Sequence, residues 1–173
     1  MSEPMGVRVE TWPVAADDIG LWLISGDDAW RSSLPVMADG EPHAEVELLL
    51  YDHDALDDVA LLHSTSWRVD EACVLLTYMA LIQSSELVRD RWPTARPISL
   101  ALPEAVGKPP TNAANEPPSP RYIDVLMHGL RHLRFLLDHD ATAAAVMDAN
   151  WRRHLANLEP ALAGMYDQLH QAS

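Results

Sequence analysis

At 173 residues, 48% of them hydrophobic and 22% charged, the chain suits one globular domain and excludes a disordered tract. Twelve basic against 26 acidic residues leave a formal charge of -14, which argues against direct nucleic-acid binding, since phosphate backbones are held by Lys and Arg that displace counterions. A single cysteine, Cys73, excludes an intrachain disulfide and a multi-cysteine zinc site, so a cytoplasmic setting is expected.

No basic start followed by an apolar stretch reads as a secretory signal, and no run approaches the ~20 apolar residues of a membrane span. The acidic residues fall in short clusters such as Asp17-Asp18, Asp27-Asp28 and Asp52 to Asp58, the pattern of a solvated face.

In chain order, Met5 to Thr11 and Ile19 to Ile24 are strand-like, the second (IGLWLI) apolar on both faces. In the stretch 43–52 the period is ambiguous between helix and strand. Pro42, suited to a first helical turn, favours helix. Val59 to Ile82 then reads as a long hairpin. With Asp70-Glu71 as its loop, Trp67 stands opposite Val74 and His63 opposite Tyr78. Ser84 to Trp92 is a short helix or loop, and Pro97 to Leu102 one more strand.

Six of the chain's 13 prolines lie between Pro103 and Pro120, an extended linker. Beyond it Ile123, Leu126, Leu130, Leu133 and Leu137 recur at helical spacing, with Gly129 as the weak point. A second helix is expected after an Asp140 or Thr142 cap, with Val146, Met147, Trp151 and Leu155 inward, and a last one over 161–170 after Pro160. The expected class is α+β. A mixed sheet in residues 1–102 is built around the central hairpin, and the helices of 121–173 pack on it as part of the same domain.

Candidate site residues come from a polar island in the first hairpin strand. His63, Thr65 and Trp67 would share one face with Tyr78, while Ser64, Ser66, Arg68 and Thr77 share the other. The ligand-lining candidates are therefore His63, Thr65, Trp67, Arg68 and Tyr78. A Ser64-His63 dyad is excluded, because strand neighbours point to opposite faces and no G-x-S-x-G elbow exists. His128 and His132 lie one helical turn apart with Asp124 before them, a row that could hold a divalent metal with His128 and His132 as candidates, although zinc usually takes three or four protein ligands and the H-E-x-x-H pattern is absent. Phosphate-binding glycine loops are absent. Trp30 and Trp92 fall in loop-like segments, where a ring either packs locally or stacks on a ligand.

The order IGLWLI, DGEPHAEVELLL, VALLHSTSWRVDEACVLLTYMALI resembles the central part of a Nudix-type domain, over about the middle third of the chain. Gly40-Glu41 resembles the Gly-Glu pair of that family's signature, and Cys73 to Ile82 the strand after its catalytic helix. Where the family has Arg-Glu and then a Glu-Glu pair for magnesium, this chain has Leu49-Leu50 and, one turn on, His53-Asp54.

The resemblance implies a catalytically degenerate member that binds a small molecule or a protein partner, with no cofactor and no metal. Its alternative is a Mg-dependent hydrolase of nucleoside diphosphate derivatives with rearranged carboxylates, Glu41, Glu45, Glu47 and Asp54 being the metal candidates. A third reading is a self-associating protein, a homodimer through the C-terminal helices.

Overall fold

The structure is a computed structural model that describes residues 6–37, 39–70, 73–83, 87–100 and 122–162. Its strands are β1 (Gly6–Ala16), β2 (Leu21–Leu23), β3 (Trp30–Arg31), β4 (Val59–Asp70), β5 (Cys73–Ile82) and β6 (Arg96–Pro97). Its helices are α1 (Pro42–Asp52), α2 (Val88–Arg91), α3 (Tyr122–His139), α4 (Ala141–Val146) and α5 (Ala149–Leu155), with a 3-10 turn at Leu56–Asp58. The expected linker over 103–120, and the last helix from residue 163 on, lie outside the described residues.

The strands form one mixed sheet in the order β4-β5-β1-β2-β6, with β3 also on β1. β1 and β5 run parallel along ten paired residues, Gly6 with Cys73 through Ala15 with Ile82, and the other pairings are antiparallel. Flanked by β4 and β1 and apolar on both faces, β5 is the doubly buried strand its sequence implies.

Alternation along β1 and β5 sends residues to two cores. On one face Trp12, Val14, Met79 and Leu81 meet Leu126, Met127, Leu130, Leu133, Met147, Trp151 and Leu155 of the C-terminal helical region. On the other, Val9, Ala15, Tyr78, Ala80 and Ile82 meet Val46 and Leu50 of α1 with Val88 and Trp92. The result is an α+β fold of three layers. Each large side chain buried here contributes roughly 1.5–3 kcal/mol.

α1 resolves the ambiguity of 43–52 in favour of helix, with Pro42 in its first turn. Its two buried residues, Val46 and Leu50, are one turn apart, so a narrow stripe suffices to hold it on the sheet. The single helix expected after Asp140 is instead two. Asp140 Oδ1 accepts from the backbone N–H groups of Thr142 and Ala143, and Asp148 Oδ1 from those of Asn150 and Trp151, so a second cap interrupts the chain at Met147 and starts α5. Of the strand expected over 97–102, residues 101 and 102 lie outside the described residues, and among the rest only Pro97 is in a strand, β6, paired with β2.

The hairpin needs the largest correction. Asp70, expected in the loop, is instead paired with Cys73, so Trp67 faces Leu76, not Val74. A bulge between Ser64 and Ser66 shifts the rest, placing His63 opposite Met79 and Ser64 opposite Tyr78. An extra residue in one strand reverses which side chains share a face beyond it.

Gly129 is where α3 meets β5 most closely. A Cβ there would stand 2.4 Å from Sδ and 2.6 Å from Cγ of the fully buried Met79. The Gly129→Ala variant gains about 1 kcal/mol of helix propensity but overpacks the core by about 1–3 kcal/mol. A lower urea midpoint is the expected outcome, and an unchanged or raised one contradicts this packing.

Candidate functional site

The corrected register disperses the five ligand-lining candidates. His63 lies against α3, its ring stacked on His132 at 5.0 Å between centroids. Thr65, in the bulge, is buried and donates its hydroxyl to the Thr77 carbonyl at 3.4 Å. Trp67 is 67% exposed. Tyr78 sits in the α1-side core, edge-on to His43, and burial raises its phenol pKa. Arg68 reaches Glu10. Among the described residues these contacts do not bring the five together.

Glu10 is the centre of a charge network that ties four strands together. Its side chain is fully buried, with Arg68 Nη1 at 2.5 Å and Nη2 at 2.9 Å, Arg31 Nε at 2.9 Å, and the Thr77 hydroxyl donating at 2.8 Å. The pairing explains the convergence: Glu10 stands opposite Arg31 on β3 and Thr77 on β5, and Arg68 reaches across from β4. Burial alone would raise the Glu10 carboxyl, but the hydrogen bond and charge of Arg68, with Thr77 and Arg31, outweigh it and hold the pKa below its ordinary value. A carboxylate so saturated is a clamp and not a base.

A second cluster lines α3. The rings of His63, His132, Phe135 and His139 stack in sequence, with His132 to Phe135 at 5.9 Å and Phe135 to His139 at 4.3 Å. His132 Nδ1 lies 3.1 Å from the Ala161 carbonyl, which can only accept, so Nδ1 carries the proton. The lone pair is then on Nε2, buried and without a donor among the described residues. Burial lowers the pKa of His63, His128 and His132, and His132 lowers the first two further, while Asp140 opposes the shift at His63 and the Ala161 carbonyl at His132. Among the described residues no group of three or more His, Cys, Asp or Glu side chains is placed to hold a metal.

Among the described residues the carboxylates of the α1 region form no group that could hold a metal. Glu41 precedes the helix, Glu47 pairs with His43 at 3.7 Å, and Asp54 pairs with Arg91 at 2.8 Å. Trp30 stacks on His53 at 4.1 Å, and Trp92 is buried beneath Arg91. Both rings are occupied locally.

A cavity lies elsewhere, at the β2-β6 edge of the sheet. An open cleft of about 650 Å³ is bounded by Trp22 of β2, the turn Ser25-Gly26-Asp27, Arg89 of α2 and the segment from Pro93 to Pro97. Gly26 has φ +88°, a turn conformation that favours glycine. The walls are joined by Thr94 Oγ1 donating to the Ile24 carbonyl at 3.2 Å and by the Ile98 amide donating to Leu21 at 2.8 Å. Arg89 lies over the Trp22 ring at 5.6 Å, and Arg96 Nε is 3.7 Å from Asp27. None of the sequence-derived candidates lines this cleft.

Sequence reasoning missed both Glu10 and the cleft. A lone glutamate inside the strand GVRVETWPVAA was a readable signal for the first, whereas the cleft joins segments some seventy residues apart and leaves no local pattern.

The fold and cleft together define a three-layer α+β protein with an open polar site at the sheet edge. No protein-family model, no curated protein and no solved structure matches the chain. No helix among the described residues is long and apolar enough to cross a membrane.

Proposed function

We propose that this protein is a non-catalytic module that binds a small molecule in the cleft between β2, α2 and β6. The observation that carries this reading is the cleft lining: among the described residues it holds two arginines and a tryptophan but no histidine, no cysteine and a single carboxylate, Asp27. Hydrolytic chemistry commonly uses a nucleophile activated by a histidine, or clustered carboxylates on a metal, and among the described residues the lining offers its Ser25 and Thr94 hydroxyls no histidine and holds a single carboxylate. The C-terminal helices support a binding module over an assembly protein, since their apolar residues are engaged with the sheet.

The competing reading is a Nudix-type hydrolase acting through Glu41, Glu45, Glu47 and Asp54. One observation favours it: a helix does follow Gly40-Glu41 and a long hairpin follows that helix, the order the resemblance implies. Incubation of the full chain with nucleoside diphosphate derivatives and Mg²⁺ separates the two. No turnover above the protein-free control is expected. Turnover that disappears in a Glu41→Gln, Glu45→Gln, Glu47→Gln variant would establish the hydrolase instead.

A further inference from the structure

We propose that the cleft takes an oxyanion, the phosphate or carboxylate group of a small ligand; this rests on the cleft being the binding site. Its lining is an inventory of donors. The guanidinium groups of Arg89 and Arg96 carry N–H donors and no acceptor, and so does the indole N–H of Trp22. Trp22 is only 5% exposed, and its Nε1 has no hydrogen-bond partner among the described residues. The Ser25 hydroxyl is likewise shielded from solvent and unpartnered. Both of these atoms lie beneath the cleft surface, whereas Arg89 and Arg96 are exposed, so the two guanidinium groups are the donors that an entering ligand meets.

The charge balance points the same way. Two arginines against Asp27 leave the lining with a net positive charge in a chain of formal charge -14. Acidic groups farther away are screened, because the Debye length at physiological salt is about 8 Å. Among the described residues the guanidinium of Arg96 is paired with Asp27 alone, at 3.7 Å and with that carboxylate side chain 85% exposed, so Asp27 is a weak internal competitor for the same donors. A cation has one carboxylate to bind here, too few for a site, and an apolar ligand would bury the guanidinium groups without partners. An oxyanion satisfies both arginines through paired N–H···O bonds.

The test follows the indole N–H resonance of Trp22 in the full-length ¹⁵N-labelled chain, assigned with a Trp22→Phe variant. Inorganic phosphate and acetate are titrated separately at constant ionic strength against chloride. A saturable shift with phosphate, acetate or both is expected, and which anion binds tighter tells a phosphate site from a carboxylate site. Arg89→Gln and Arg96→Gln, both at exposed positions, should each weaken binding about tenfold, the loss of one charge-assisted hydrogen-bonding partner. Asp27→Asn should tighten it several-fold.

A shift no different from that of chloride, for both anions, overturns the inference, and so does binding unaffected by all three substitutions. These outcomes are distinct from failure of the binding-module reading. A neutral compound that saturates the cleft while both anions fail leaves the module standing without the oxyanion, and turnover of a bound anion removes the module while leaving the oxyanion site.

Discussion

Replacing Glu10 with alanine is expected to lower the stability of the fold by about 3 kcal/mol. Removing one partner of a buried ion pair costs about 3–5 kcal/mol, because the remaining charge is left without compensation. The lower end applies because the two arginines left behind are not fully buried, Arg68 being 22% and Arg31 37% exposed, and water can reach them in part. Arg68→Met alone should cost less, since Arg31 and Thr77 still hold the carboxylate. The double variant should lose less than the two singles summed, with a coupling energy of about 1–3 kcal/mol. Urea unfolding followed by circular dichroism measures all three. A loss below about 1 kcal/mol for Glu10→Ala would show that the network does not clamp the strands.

Acid is expected to weaken the protein in two stages. His63, His128 and His132 all have pKa values below the ordinary 6.5, so as pH falls through that range the unfolded chain takes up protons that the folded chain does not. Stability is therefore full above pH 7 and declines as pH falls toward the folded-state values. The slope cannot exceed about 1.4 kcal/mol per pH unit for each proton, and His63 and His128, being partly exposed, contribute less than that. His132→Phe keeps an aromatic ring in the stack and removes the orphaned Nε2, so its stability curve between pH 7.5 and 5.5 should be flatter than that of the parent. An equal slope would contradict the assignment.

Below pH 5 the second stage belongs to Glu10. Its folded pKa lies under the ordinary 4.5, so its contribution is present above that value and is lost as pH falls through the folded one. The Glu10→Ala variant should lack this stage.

Which elements were legible depends on how local their cause is. The amino acids of β5 announce a buried strand at every position, and the alternating apolar turns of α3 announce a packed helix, because both patterns follow from one-dimensional periodicity. The hairpin was legible but its register was not. Nothing in the sequence decides between Asp70 in the loop and Asp70 in the strand, and nothing in His63 to Trp67 marks the bulge. That combination moved His63 to the α3 side while Trp67 stayed on the other, and it dissolved the polar face drawn from alternation.

Gly129 looked like a weakness for the same reason. Helix propensity is local, whereas the approach of Met79 that requires a glycine is tertiary. The cleft was the least legible of all, since Trp22, Arg89 and Arg96 acquire meaning only when β6 pairs with β2.

The proposed module binds its small molecule at the β2-β6 edge and not around α1. Amide chemical-shift mapping of the ¹⁵N-labelled chain against a small-molecule fragment set that includes neutral and anionic compounds tests it most directly. Compounds that bind are expected to perturb residues 22–27 and 93–97 together with Arg89. Saturable shifts confined to residues 41–54, with the β2-β6 edge unmoved, would contradict it.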